Sequence, residues 1–279
     1  MTSASDWTGR VGRTWAAEWA RTDRSFAALT PHLDAAIAAA APTGAFRALD
    51  IGCGAGATAL ALAQARPDGD VTGVDLSSEL IAVALRRGGE RGNLRFVTGD
   101  ATAMAGDLSP VDLFVSRHGV MFFADPVAAF GRLRDAAAPG AALVFSCFGD
   151  PADNPWSSAL VEEVTGTRPT RAPGYAPGPF GLADPAVATP ILHDAGWRIA
   201  GRTRVDFRYV VGAGADPVAD AVGFFRRIGP LAGALRDAPD PVLSIDRLKT
   251  VLARYCSGGT VAFPAAAWIW RAHARGDKP

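Results

Sequence analysis

Cysteine is scarce in this chain. The 279 residues hold three, Cys53, Cys147 and Cys256, well separated and odd in number. They make neither a metal-ligand spacing nor a disulfide framework. Cys53 in a glycine turn and Cys147 in an apolar run read as small core residues. Lysine is scarcer, confined to Lys249 and Lys278, so nearly every base is an arginine. The codon usage of a GC-rich genome accounts for that bias. Acids and bases balance at 28 each, for a formal net charge of zero. A surface built to hold nucleic acid is therefore not expected. No apolar run approaches a membrane span. The N-terminal MTSASDWTGR has no apolar core of a secretory signal. A cytoplasmic protein without a membrane span is the expectation. There is no internal repeat and no low-complexity tract.

What is present is organised around Ala48–Ala63, ALDIGCGAGATALALA. The apolar run Phe46–Ile51 ends in Gly52, Gly54 and Gly56, and an alanine-rich helical run follows. Strand, glycine turn and helix start make a cradle: glycine lets a ligand approach the backbone, and the helix start offers unpaired N–H groups. A second apolar run, Asp70–Val74, ends in Asp75, nineteen residues after Gly56. An acid at that place accepts hydrogen bonds from ribose hydroxyls in doubly wound folds.

The pattern continues through strand-like runs at Leu94–Val97, Val111–Ser116 and Ala141–Phe148. Helical runs lie between them, one at Ser78–Arg87 and one opened by Asp125-Pro126 and ended by Pro139-Gly140. Strands alternating with helices predict a parallel, doubly wound α/β sheet, and near-continuous apolar strands fit one covered on both faces. Ahead of the first strand, Arg13–Ala27 and Pro31–Ala41 read as helices. After Phe148 come a Pro- and Gly-rich segment with a helical piece near Trp156–Val164, a helix at Asp184–Ala195, and a strand at Trp197–Val211. Helical stretches at Asp216–Asp237 and Pro241–Tyr255 precede a final strand, Thr260–Ala272, in which Pro264 suggests an edge or a bulge. The tail Arg275–Pro279 is expected to fray.

LDIGCGAG, then GVDLS, then TGDA at Thr98–Ala101 together resemble the class I S-adenosylmethionine-dependent methyltransferases. That resemblance implies a Rossmann-like sheet of seven strands, mostly parallel, with an antiparallel last strand and a helical cap. It divides a single domain, 1–279, into an N-terminal helical segment (1–45), a cofactor core (46–148) and cap insertions (149–182 and 212–258). It also implies the cofactor, S-adenosyl-L-methionine, leaving as S-adenosyl-L-homocysteine. Gly52, Cys53, Gly54 and Gly56 would face its amino-acid part, and Asp50 its ammonium group through water. Asp75 would take the ribose hydroxyls, Leu76 would pack on adenine, and Asp100 and Ala101 would meet the adenine edge. Ser116 and Arg117 sit beside the switch point of the sheet, and Trp19 and Arg24 would close over the methionine end.

HGVMFFADPV from His118, with Asn154-Pro-Trp and GPFGLADP from Gly178, is similar to a small-molecule, quinone-biosynthesis-like bacterial branch. His118, where that branch carries an aromatic, is the candidate general base. The plain alternative is a polar residue packed near the cofactor. His118, Met121, Phe122, Trp156, Tyr175, Phe180, Phe224 and Phe225, with Arg226, suggest an apolar or aromatic acceptor; ordinary cap packing is the alternative. His32, His193 and His273 carry no assigned role. For Asp75 and Asp100, helix capping is the competing explanation. The expected activity is methyl transfer to oxygen or carbon of a small molecule, by a monomer or homodimer that binds no nucleic acid and no metal. Two readings compete with it: methylation of RNA or protein, and a non-catalytic cofactor-binding scaffold. Nicotinamide chemistry is disfavoured, because the turn lacks GxGxxG spacing and no Tyr-x-x-x-Lys pair occurs.

Overall fold

The computed structural model describes residues 4–170 and 173–275; the tail beyond Arg275 lies outside them. One sheet runs through the centre. Its strands are β1 (Phe46–Ile51), β2 (Gly69–Asp75), β3 (Leu94–Thr98), β4 (Val111–Arg117), β5 (Ala137–Phe148), β6 (Trp197–Ala213), β7 (Cys256–Ser257) and β8 (Thr260–Ala274). The order is β3-β2-β1-β4-β5-β8-β6, with the two-residue β7 on β8 as an eighth strand. Strands β1 to β5 pair parallel, while β8 runs antiparallel to β5 and β6. This is a Rossmann-like arrangement, with β6 and β8 as a long antiparallel pair at one edge.

The central strands are covered on both faces. Leu49, Val71, Val74, Leu113, Phe114, Val115, Leu143, Val144 and Phe145 are sealed from solvent in one core. The order of connection reverses between β1 and β4: β1 leads outward to β2, and β4 leads the other way to β5. The crevice at their C-terminal ends is where ligands of open α/β sheets sit.

Helix starts follow a repeated local rule. Asp125, Asp184, Asp216 and Asp240 each precede a proline at the first helical position and accept a backbone N–H from the first turn. The acid satisfies an orphan donor, and proline loses nothing where no N–H bond exists to lose.

The structure departs from the sequence expectations at four places. Arg13–Ala27 is not one helix but two, Arg10–Ala17 and Trp19–Phe26, parted at Glu18. Glu18 is buried because its carboxylate is held by Arg21 and Arg227. Pro139-Gly140 does not close the preceding helix, which stops at Asp135; it lies in a bulged start of β5, where pairing jumps from Val111↔Ala137 to Leu113↔Ala142. Asp216–Asp237 is interrupted between Pro217–Phe225 and Pro230–Arg236, where Gly229 takes φ 84 ahead of Pro230. Pro264 sits in an internal strand without a bulge. Its alternate neighbours Ala262 and Ala266 bond away from β6, to Tyr255, Gly149 and Asn154. The missing N–H of Pro264 therefore faces the side where β5 has already ended.

Candidate active site

The glycine turn and Asp75 are wired together. The Gly54 N–H donates to Asp75 Oδ2 at 2.9 Å, and the Ser77 N–H donates to Oδ1 at 2.9 Å. The Cys53 N–H donates to the Val74 carbonyl at 3.0 Å. So β2 fixes the shape of the turn after β1. Each Asp75 oxygen keeps unused lone-pair capacity. Burial pushes the Asp75 carboxyl up, opposed by those two backbone donors.

Asp50 lies one layer deeper. It is 1% exposed, and its Oδ2 accepts from the Ala59 N–H at 3.0 Å, while Oδ1 has no partner. Burial raises its pKa to about 7, against the lowering pull of Arg117. Asp100 caps the short helix Ala101–Met104, with Oδ1 accepting from both the Thr102 N–H and the Thr102 hydroxyl at 2.8 Å. The capping explanation thus holds for one Asp100 oxygen, and Oδ2 stays outside both bonds.

These groups line one cavity of about 640 Å³. Asp50, Gly52, Cys53, Gly54, Asp75, Leu76, Asp100 and Ala101 are at one end. His118, Phe148, Trp156 and Tyr209 meet ring to ring in another part of the wall, Phe122 packs on Trp7, and Trp15, Trp19, Asp23 and Phe26 cover the cavity from the first helices. Three buried polar atoms without a protein partner belong to residues of this wall: Thr22 Oγ1, Asp50 Oδ1 and His118 Nε2. A buried polar group without a bond is costly, and such orphans mark places where a ligand supplies one.

The roof is held by charge. Asp23 accepts from Arg117 at 2.5 Å and from Arg87 at 2.7 Å. Arg87 also lies over the Trp19 ring at 4.3 Å and donates to the Ala55 carbonyl. Arg117 has its guanidinium 5.4 Å from the Phe26 ring centre.

Several sequence candidates stand off the cavity. Ser116 is fully buried behind it, donating to the Ile51 carbonyl at 2.7 Å and accepting from the Gly119 N–H. It ties the ends of β1 and β4 together. Gly56, with φ 82, serves packing: a Cβ there would stand 2.6 Å from the Phe96 ring. Arg24 reaches Asp220 and the Val211 carbonyl, pinning the roof to the cap rather than touching the pocket. Tyr175 donates to the Phe123 carbonyl at 2.6 Å, and Phe180 packs behind Trp156 at 5.8 Å. Phe224 lies behind Tyr209 at 6.4 Å, Phe225 against Phe263, and Arg226 is exposed. Trp19, Arg117, His118, Met121, Phe122 and Trp156 do line the cavity.

Sequence reasoning passed over Asp23, Phe26, Phe148 and Tyr209. Phe148 ends β5 and was findable, because C-terminal strand ends line α/β sites. Asp23 and Tyr209 gave no signal: only the fold brings the first helices and a distant hairpin strand to the same crevice. Trp156 owes its place to Asn154, which is sealed from solvent. The Asn154 amide donates to the Ala266 and Asp150 carbonyls, and its Oδ1 accepts from Ala266 N–H and Trp156 Nε1.

Residues 48–140 match the family model described as "Methyltransferase domain". A demethylmenaquinone methyltransferase of Thermus thermophilus is 34% identical over 106 residues, which is 38% of this chain and 48% of that protein. A tRNA (guanine-N(7)-)-methyltransferase of Ralstonia nicotianae is 38% identical over 86 residues, 30% of this chain and 34% of that protein. The chain therefore matches about half, or less, of these relatives' lengths. A Bacillus halodurans protein described as a methyltransferase candidate superposes with a TM-score of 0.57 at 15% identity, covering 88% of this chain and 99% of its own. That last likeness shows the fold. The matched segment, residues 48–140, lies over β1 to β4 and their glycine turn, and it is similar to an S-adenosylmethionine-dependent methyltransferase domain.

Proposed function

We propose that the protein transfers a methyl group from S-adenosylmethionine to oxygen or carbon of a small apolar or aromatic molecule. The observation that carries this reading is the continuity of the cavity. Its polar end holds Asp50, Asp75 and Asp100, and its far end is walled by Phe26, Phe148, Trp156 and Tyr209.

The residues fit the cofactor. The bare Asp50 Oδ1 suits a cationic ammonium group, Asp75 suits a pair of hydroxyls, and Leu76, Leu80 and Ala101 offer an apolar slot for a flat base. When bound, the cofactor supplies a methyl group already activated on a sulfonium. The chain's own contribution is then alignment and exclusion of water. Trp15, Trp19 and Phe26 cover the cavity, and Asp23 holds that cover on Arg87 and Arg117. The segments 149–182 and 212–258 serve as the cap that selects the acceptor; Trp156, Pro177, Pro179, Ile228 and Gly229 are their wall residues. His118 belongs to the aromatic end, its ring against Phe148. Burial, reinforced by the neighbouring Arg117 charge, lowers its pKa to about 3, so the ring is neutral in the resting protein.

RNA as acceptor is a second reading, favoured by the likeness to the Ralstonia protein. The zero net charge and the roofed aromatic end argue for the small molecule.

Calorimetry with S-adenosylmethionine and S-adenosylhomocysteine tests the cofactor assignment. Both are expected to bind, and Asp75→Ala to weaken them by at least about tenfold, the scale of hydrogen bonds to a charged group. Absence of binding, or binding indifferent to that substitution, overturns the proposal.

A further inference from the structure

His118 leaves β4 in the left-handed region, φ 63, the one non-glycine with positive φ among the described residues. That costs energy for a residue with a Cβ, and such strain gathers at functional sites. The conformation lays the residue on β5: its backbone N–H donates to the Ser146 carbonyl at 3.1 Å, and its Nδ1 is 2.9 Å from Ser146 Oγ. Ser146 is sealed from solvent, and its hydroxyl makes no other bond. If Nδ1 were the donor, the Ser146 O–H would be buried without an acceptor. The bond therefore runs from Ser146 to Nδ1, and the proton of the neutral ring sits on Nε2. Nε2 is itself buried and has no partner.

Apolar rings pack on the imidazole. Phe148 lies 4.4 Å and Phe26 4.6 Å from the imidazole, centre to centre. Trp156 stacks on Tyr209 at 4.9 Å, and both contact Phe148. A cationic guest would face an N–H donor and the adjacent Arg117. A guest without an acceptor atom would leave Nε2–H unsatisfied.

We infer that His118 Nε2–H is the recognition donor for an acceptor oxygen, and that the chamber takes a neutral, flat aromatic molecule presenting a carbonyl-type oxygen to it. This rests on the methyltransferase reading, since the chamber is the acceptor end of the same cavity. It gives His118 a role opposite in direction to a base: it donates a hydrogen bond and keeps its proton.

The test compares 2-acetylnaphthalene with 2-ethylnaphthalene, alike in shape but differing in the oxygen, by calorimetry on the full chain with S-adenosylhomocysteine present. The ketone is expected to bind about tenfold more tightly, one buried hydrogen bond's worth. His118→Phe should erase the preference while the hydrocarbon still binds, and His118→Gln, which retains an N–H donor, should keep part of it. Nitrogen-15 spectra of the ring should show Nε2 protonated and Nδ1 bare. Equal affinity for the two probes, no binding of either, or a bare Nε2 would overturn the inference. Repeating the titration without S-adenosylhomocysteine separates the two claims. A chain that fails to bind S-adenosylhomocysteine but keeps the ketone preference loses the methyltransferase reading and keeps this one.

Discussion

Asp50 shows what one buried residue can do at this site. Its Oδ2 is spent on the start of helix Ala57–Ala65, and Oδ1 is bare. Its pKa, raised by burial to about 7, puts its titration in the neutral range. An ammonium ligand favours the ionised form. Affinity for S-adenosylhomocysteine should therefore rise as pH rises towards about 7 and then level off, by up to about tenfold per unit below it. Asp50→Asn should flatten that profile and weaken binding above pH 7. Calorimetry in buffers of different ionisation enthalpy would also register the released proton. A wild-type profile as flat as the variant's would contradict this role.

At the scale of elements, the roof helix Trp19–Phe26 is held by ions as well as by the buried ring of Phe26. Asp23 reaches Arg87 and Arg117, Arg21 and Arg24 reach Asp220, and Glu18 reaches Arg227. Removing one member leaves partly buried partners uncompensated. Asp23→Ala should destabilise the protein by about 2 kcal/mol in urea titrations, with faster amide exchange confined largely to this helix. Global loosening instead would mean that the helix is part of the core and not a separable roof. The other telling element is the join of turn and helix at Gly56. With φ 82 and the Phe96 ring where a Cβ would stand, Gly56→Ala should cost about 3 kcal/mol, read from the thermal midpoint. Pairing it with Phe96→Leu should recover part of the loss, because the clash then eases while the backbone strain stays.

For the whole molecule, two buried groups act on stability in opposite senses. Asp50 has a raised pKa in the folded state, from 3.8 to about 7. The folded form takes up its proton first, so this contribution is fully present below pH 3.8 and is lost as pH rises to about 7. His118 has a lowered pKa, from 6.5 to about 3. The unfolded chain takes up that proton first, so this contribution is present above pH 6.5 and is lost as pH falls towards 3. Between roughly pH 4 and 6.5 the two slopes oppose each other. Relative to wild type, Asp50→Asn should lose stability on acidification by about 1.4 kcal/mol per pH unit, and His118→Phe should gain it at a similar rate. Denaturant titrations at half-unit steps would show the two trends; parallel curves for both variants would mean that neither group titrates as its burial implies.

Much of the core was legible because its causes are local. Near-continuous apolar runs, glycines at alternate positions and Asp-Pro pairs act over a few residues, and each produced the expected strand, turn or helix start. The spacing placed Asp75 at a strand end beside the glycine turn, but its bond from the Gly54 N–H is visible only in the structure. The cap was not legible in the same way. Tyr175, Phe180, Phe224 and Phe225 look in sequence no different from Tyr209, yet the first four stand off the cavity and Tyr209 forms part of its wall. Which aromatic faces a cavity depends on strand register and helix rotation, set by packing across the whole sheet.

By itself the sequence determined the parallel strands β1 to β5, the glycine turn and the acids placed at the strand ends beside it, because short-range sterics and alternation of apolar runs suffice for those. Only the tertiary structure decided that Ser116, Gly56 and Arg24 support the site from outside, that Asp23 ties down its cover, and that the buried, unpartnered Nε2 of His118 belongs to a ring packed among aromatics. Those outcomes hang on contacts between segments far apart in the chain, where no local rule reaches.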